Sequence, residues 1–448
     1  MKQKNLIFTI EIGARELISK CLLALHCRQK GFRIYIGSFS GIDLLRGHLN
    51  SSILFHKGTW TKNVTRNQRD FGATNVFLDE EMGPTIPRDF LESMCEWRFR
   101  EVDSTRYKKI FVLGDRYHEI MKKYNNMESI DIHKTGWPRI DLWRPSFMEM
   151  FRTSADEIRR VYGDYVLFPT TFGNTSEQGF QESIELFKVA KTDSMQTLRR
   201  NAFYDHLEML PKLARALPSS MQLIVRPHPA EDESHWKELL RNCENIRIVK
   251  EGEVTPWLLA ARAVLSFGST TALQAAFNGI PVISYRVPRD EPAVNSLAFD
   301  VATHVDTVDG LLQAMLNVDK LSEKETRQKA IDLVKNDIEA LEGPLASERI
   351  ASVLDGMDGI EATYAPKVAQ SAQYSYDLKY HARRFSFWMK RKRHGLTLDM
   401  KRRQFHKLPG GLDAAEIEQT IRSLGDICGI DVRDLKCQQL GKGLVLIE

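Results

Sequence analysis

Hydrophobic positions along the chain come in short blocks. NLIFTIEIG is mostly apolar, ARELISKCLLALHCRQKG carries an apolar stripe at helical spacing and stops at Gly31, and FRIYIGS is apolar again. That order predicts strand, amphipathic helix, strand. It is a βαβ opening, which implies a parallel sheet with helices on both faces. The runs SILFH, NVFLD, KIFVLG and IHKTG predict further strands, with a helix over 115–124 among them. WPRIDLWRPSF, with two prolines, reads as a crossing between domains.

The alternation then restarts. A helix is expected over 154–162, and YVLFPTTFGN reads as a strand entering a polar loop. A long helix over about 200–217 leads to the strand MQLIVRPHP, a helix over 234–242 and the strand IRIVKEG. TPWLLAAR reads as a short helix with Thr255 as N-cap and Pro256 in its first turn. AVLSFGS, TTALQAAFNG and PVISYR predict strand, helix and strand. The expected fold is therefore α/β, with two doubly wound, Rossmann-like domains and a cleft between them. That is the layout of a GT-B fold. The expected domains are 1–145, 146–358 and an extension over 359–448 with a small folded segment.

Composition narrows the class. At 448 residues, two domains and an appendage are expected. Hydrophobic content of 42% and charged content of 27% are those of a soluble globular protein. The apolar run before Glu11 is too short for a signal peptide core, and no segment is apolar enough to cross a bilayer, so a cytoplasmic protein is expected. The six cysteines form no CxxC pair and read as reduced, mostly buried thiols. No zinc site and no Asp-x-Asp metal motif is evident. The net charge of +4 is unevenly spread: 379–407 is dense in Lys and Arg. Its aromatic residues Tyr380, Phe385, Phe387 and Trp388, with Met389, suit an anionic membrane surface, which would make the protein peripheral on the inner face of the membrane. A solvated basic helix or a partner-docking surface is the competing reading. Nucleic acid is not expected, because no recognition motif accompanies the charge.

Candidate chemistry gathers where strands end, since open α/β sheets bind ligands beyond their C-terminal strand ends. In LIVRPHPAED, Pro227 and Pro229 stiffen the backbone on either side of His228. An imidazole there can donate to a phosphate or protonate a leaving phosphate oxygen, and Arg226 adds a fork for the same anion. A surface histidine in a Pro-rich turn is the other reading. In LSFGSTTALQAAFNG a strand ends at Ser266, Phe267 and Gly268, and a helix starts at Ser269, Thr270 and Thr271. Unpaired N–H groups and small hydroxyls at such a turn can hold a phosphate, or Ser269 can simply cap the helix. Both loops are expected on one edge of one sheet. In the first domain, NVFLDEEMG delivers Asp79, Glu80 and Glu81 to a strand end, as general-base work on a sugar hydroxyl requires; a solvated acidic turn is the alternative. Glu11 and Arg15 lie at the first strand–helix turn, with helix capping by Glu16 or an Arg15–Glu16 surface pair as competing readings. Thr170, Thr171 and Asn174 are placed to touch a nucleotide or an acceptor, or to satisfy their own turn.

Taken together, IEIGARELISKCLLAL, FLDEEMG, KKIFVLGDRYHEIM, KTGWPRIDLWRP, RPHP and LSFGSTTALQAAFNGIPVISYR resemble the bacterial surface carbohydrate biosynthesis proteins of capsule and O-antigen assembly, which are GT-B-like. The acidic, HP and hydroxyl motifs are also similar to those of sialic acid and Kdo transferases, which use CMP-activated sugars. The resemblance implies that Glu80 and Glu81 match the acidic pair, His228 and Pro229 the HP pair, and Ser269 and Thr270 the hydroxyl pair. It implies that the acidic group handles the acceptor hydroxyl or the anomeric centre, and that His228 contacts the CMP phosphate. Met82 stands where that motif has Gly, which leaves the choice among Asp79, Glu80 and Glu81 open. Gln274 stands where related sites have a ribose-binding Glu, and can still bond a hydroxyl. TGWPRID and RPHP are similar to teichoic-acid glycerophosphotransferases, which use CDP-activated donors.

The expected activity is transfer of a sugar, of the nonulosonic acid or Kdo type, from a CMP-linked donor to a lipid-linked or oligosaccharide acceptor of a surface glycan. No metal and no further cofactor are expected. Transfer of a CDP-polyol or a UDP-sugar, and a catalytically silent interaction subunit, are the competing readings.

Overall fold

The computed structural model describes residues 3–448 except 59–70, 85, 100–106, 124–126, 128–129, 189–190, 230, 289–295, 363–367, 395–407 and 409. The chain forms two compact units: Met1–Glu81, Glu101–Leu142 and Glu339–Glu448 make unit 1, and Met82–Arg100 and Trp143–Ile338 make unit 2.

Unit 1 is built on β1 (Gln3–Ile10), β2 (Phe32–Ser38), β3 (Ser52–His56), β4 (Ala73–Leu78), β5 (Tyr107–Val112) and β6 (Asp131–Lys134). They lie in the order β2-β1-β3-β4-β5-β6, all parallel. Leu6, Ile7 and Phe8 of β1, and Ile34, Tyr35 and Ile36 of β2, are fully buried. Strands covered on both faces have no polar side to show, which is why they read as continuous apolar runs. The strand order reverses between β1 and β3. Such a reversal splays the loops on either side and opens a crevice at the C-terminal edge.

Unit 2 is built on β7 (Tyr165–Pro169), β8 (Gln222–Arg226), β9 (Ile246–Ile248), β10 (Ala263–Leu265), β11 (Val282–Tyr285) and β12 (Thr303–Val305). The order β12-β11-β10-β7-β8-β9 is the Rossmann order, all parallel, with its reversal between β7 and β10. Its core is rich in rings: Phe168, Phe172, Phe203, Trp236, Phe267 and Phe299 are all buried. His206 joins them, stacked 5.1 Å from Phe168, and burial pushes its pKa down to about 4.

Both units are thus doubly wound α/β sheets, as the GT-B-like pattern leads one to expect. The division of the chain differs from the expected 1–145, 146–358 and 359–448. It does fall inside WPRIDLWRPSF, between Leu142 and Trp143, but the prolines there open helices: Pro138 starts Pro138–Asp141 and Pro145 starts Pro145–Tyr162.

The C-terminal segment is no appendage. After β13 (Glu361–Ala362), which pairs with the start of β1, the strands β14 (Cys437–Gly441) and β15 (Leu444–Ile447) extend the sheet of unit 1, β15 antiparallel to β2. The Ala346–Asp355 and Ala414–Cys428 helices both pack on Gly13–Gln29. Asp141 fixes the first of them by accepting from the N–H groups of Ala346 and Ser347 at 2.8 and 2.9 Å. In the other direction, Met82–Arg100 joins unit 2, where Arg88 pairs with Asp300 at 2.9 Å.

Candidate functional site

Each sheet carries a candidate site at its C-terminal edge. In unit 1, Glu11 follows β1, Lys57 follows β3, and Asp79, Glu80 and Glu81 follow β4. Arg15, Glu16 and Lys20 enter from the start of the Gly13–Gln29 helix, Glu16 and Lys20 four residues apart on one face. The groups form one ionic network at the strand-order reversal. The Lys57 ammonium reaches Glu11 at 2.6 Å, Glu16 at 2.8 Å and Glu81 at 3.4 Å. Arg15 reaches Glu81 at 2.9 Å and Glu16 at 3.4 Å. Lys20 donates to Glu80 at 2.6 Å, and its ammonium lies 5.0 Å from the centre of the Phe55 ring.

Burial sorts these groups. The side chains of Glu16 and Lys20 are each 2% exposed, whereas Glu11 is 26% and Glu81 49% exposed. Burial works against the charge on Glu80, but Lys20, and then Lys57 and Arg15, outweigh it and hold its pKa below the ordinary carboxylate value. Burial likewise works against Lys57, and Glu16, then Glu81 and Glu11, outweigh it and raise its pKa. Asp79 is buried and accepts the N–H of Glu81 at 3.0 Å, shaping the turn. Of the three carboxylates of that turn, Glu81 reaches solvent most. Of the competing readings of Glu16, capping is seen and the surface pair is not: Ile12 is the N-cap residue, and the buried Glu16 carboxylate reaches back from the first turn to accept the N–H of Glu11 at 2.9 Å. Arg15 binds Glu16 inside the network instead of on an open surface.

In unit 2 the loops after β10, β7 and β8 lie side by side, because their strands are neighbours. Phe172 and Phe267, one from each of the first two loops, stack at 6.0 Å and fix those loops to the core. Gly268 follows at φ +66°, and a Cβ there would sit 3.1 Å from the Phe299 ring, so the turn suits glycine on both counts. Ser269 caps the Thr270–Phe277 helix by accepting the N–H of Thr271, and its hydroxyl lies 2.5 Å from that of Thr271. The first turn of this helix, with Ser266, Ser269, Thr270 and Thr271 around it, is suited to phosphate oxygens.

The RPHP turn is held from both sides. The His228 N–H donates to the Thr170 hydroxyl at 3.0 Å, and that hydroxyl donates to the buried carboxylate of Glu231. Glu231 also accepts from the N–H of Gly173 and the indole of Trp236, each at 2.9 Å, tying the β7 loop to the β8 loop. Burial raises the Glu231 pKa, against these hydrogen bonds. From the β9 side, Lys250 donates to the carbonyls of Glu231 and Pro229. Two prolines and these bonds fix the backbone that carries the half-buried His228 side chain.

Three expected contacts are committed elsewhere. Arg226 donates to the carbonyls of Glu251 and Gly252 and lies 5.5 Å over the Trp257 ring, and burial pushes its pKa down to about 10. Its fork braces the neighbouring loop. Gln274 is buried and donates to the Thr255 hydroxyl at 2.6 Å. Thr255 itself is inside the Thr255–Ala260 helix, with Val254 as N-cap, and it donates to Glu253. Asn174 donates to the Ser183 hydroxyl at 2.7 Å and serves its own loop. Thr171 and Pro229 stay on the edge beside His228, half-buried and exposed respectively. Lys57, Lys20, Glu16 and Glu231 are the residues that the motif reading passed over as site members. For Lys57 a signal existed: it directly follows the strand SILFH. No group of three His, Cys, Asp or Glu able to hold a metal occurs among the described residues.

The two edges define an α/β protein with hydroxyls, a helix N-terminus and an imidazole on the edge of a Rossmann-order sheet and an ionic network on the edge of a second sheet. No protein family and no curated protein matches the sequence. Among solved structures, the wall teichoic acid polymerase TagF with CDPG is similar at 12% identity and TM-score 0.47, over 78% of this chain and 88% of that one. MnaA of S. aureus with UDP is similar at 12% identity and TM-score 0.45, over 82% and 100%. Alr3699/HepE of Anabaena with UDP and glucose is similar at 9% identity and TM-score 0.43, over 79% and 100%.

Proposed function

We propose that this chain is a nucleotide-sugar-dependent glycosyltransferase of surface-glycan synthesis, with the donor nucleotide on unit 2 and the acceptor on unit 1. The observation that carries the reading is His228. Its backbone turn is held from both sides at the C-terminal edge of a Rossmann-order sheet, on the strand next to the order reversal, with the imidazole half-buried there. A phosphate on the Ser269–Thr271 turn would lie among hydroxyls and helix N–H groups, and His228 would donate to the phosphate oxygen as it leaves. Glu81, the most exposed carboxylate of the unit 1 turn, would take the proton from an acceptor hydroxyl, while Arg15 and Lys57 hold it in place. Glu80, neutralised by Lys20, would set the local charge and stay out of the chemistry.

The HP and hydroxyl motifs favour a CMP-linked donor, and the acceptor would be a lipid-linked or soluble oligosaccharide. Titration calorimetry with CMP, CDP and UDP tests the donor. CMP binding most tightly fits this reading, and CDP or UDP binding most tightly moves it to a polyol-phosphate or UDP-sugar transferase. Glu81→Gln should keep nucleotide affinity and lose turnover, while Glu80→Gln should keep most turnover in the fraction that folds. Binding without transfer to any acceptor would leave a catalytically silent module.

A further inference from the structure

The Gln370–His394 helix starts tied to unit 1 and then leaves it. The Tyr376 hydroxyl lies 3.0 Å from that of Ser40, and the Asp377 carboxylate accepts the N–H of Lys442 at 2.6 Å. Past these anchors every residue over 381–386 is exposed. At about 1.5 Å per residue, the stretch from Asp377 to the helix end is roughly 25 Å long.

Its exposed surface is patterned. Tyr374, Leu378, His381, Phe385 and Trp388 are spaced alternately four and three residues apart, which puts them on one face. Tyr374 and Leu378 are 74% and 73% exposed, Phe385 64% and Trp388 47%. The Phe385 and Trp388 rings stack on each other at 5.9 Å. Lys379, Arg383 and Arg384 accompany the stripe, and residues 390–393 read KRKR. Between Asp377 and Asp399 the sequence has no acid. Of the apolar set expected to dock, Tyr380 and Met389 are half-buried, and the Phe387 side chain lies outside the described residues. The stretch 395–407 of the basic segment lies outside the described residues.

We infer that the distal part of this helix docks flat on an anionic lipid surface. Exposed rings and a leucine in one stripe bury at the headgroup boundary, and the basic residues beside them meet lipid charge. Each basic residue brought to such a surface strengthens binding about five-fold. A second copy of the helix would match the apolar spacing but would bring two basic stretches, acid-free beyond Asp377, together, so charge opposes it. The helix does not span: among the described residues no helix is long and apolar enough to cross a membrane. The inference stands apart from the transferase reading.

Flotation of the full chain on phosphatidylglycerol/phosphatidylcholine vesicles and on phosphatidylcholine alone tests it. Binding is expected on the anionic vesicles, weakened by high salt and at least ten-fold weaker on the neutral ones. Phe385→Ser with Trp388→Ser should reduce it at least ten-fold, and so should Arg383→Glu with Arg384→Glu. Nucleotide affinity and Tm should be unchanged in both, since these side chains are exposed. Equal recovery on neutral and anionic vesicles, or binding indifferent to either double variant, overturns the inference. Failure to bind any vesicle also overturns it, and retention on an acidic protein or a polynucleotide would then name the partner.

Discussion

The two strand edges solve the same problem in different currencies of charge. Unit 1 fills its edge with full charges: Glu11, Glu16, Glu80 and Glu81 interleaved with Arg15, Lys20 and Lys57, several of them buried. Unit 2 lines its edge with hydroxyls, a helix N-terminus and the His228 imidazole, braced by the buried Glu231 carboxylate and by Lys250 and Arg226, which donate to backbone carbonyls. A network of paired ions is stiff but has little net field left to give. An array of neutral donors stays open to an incoming anion. The proposed placement of phosphate on unit 2 and of an uncharged, hydroxyl-bearing acceptor on unit 1 rests on this difference.

The largest expected effect breaks the ionic side. Lys57→Met removes one partner of a buried network and leaves the Glu16 carboxylate, 2% exposed, short of its nearest cation. Removing one member of a buried pair costs about 3–5 kcal/mol. Chemical denaturation should show that loss, and a loss under 1 kcal/mol would mean that the network is wetter than its geometry indicates. Next, His228→Ala should lower turnover by about 100- to 1,000-fold, as for loss of a donor to developing charge, with the fold intact. Near-normal turnover would take His228 out of the site.

A smaller effect separates the units by the sign of their pH dependence. Glu80 has a depressed pKa, so its contribution is present above the unfolded value near 4.5 and lost as pH falls through the folded pKa. Glu231 has a raised pKa, so its contribution is present below 4.5 and lost as pH rises through the folded pKa. The stability difference between wild type and Glu80→Gln should therefore shrink in acid. The pH slope removed by Glu231→Gln should be of opposite sign. Denaturant midpoints measured from about pH 2.5 to pH 7 check both, Glu80 below 4.5 and Glu231 above it, and slopes of the same sign would contradict the comparison.

The parts legible in the sequence are those set by local chemistry. Strands buried on both faces announce themselves as apolar runs, and polar residues at their ends mark the edge, where His228, Ser269 and Glu81 stand. What stayed hidden depends on distant partners. Lys20 reads as an ordinary polar helix position until Glu80, sixty residues on, buries with it. Arg226 and Gln274 have the right types for an anion and a ribose, yet Glu251, Gly252 and Thr255 take them first. The return of the chain end to unit 1 rests on β15 pairing with β2, about 410 residues apart, and no local pattern encodes that register. Glu231 follows the RPHP motif closely but looks like a surface acid. Its burial comes from Thr170, Gly173 and Trp236.

The division of labour between the edges is tested most directly by one paired titration. Ser269→Asp keeps a good N-cap on the Thr270–Phe277 helix, so stability should hold. It also puts a carboxylate where the phosphate of a nucleotide would sit. Calorimetry with CMP should give clear binding to the wild type and at least ten-fold weaker binding to Ser269→Asp at unchanged Tm. Unaltered affinity in the variant, or no nucleotide bound by either protein, would contradict the assignment of phosphate to unit 2.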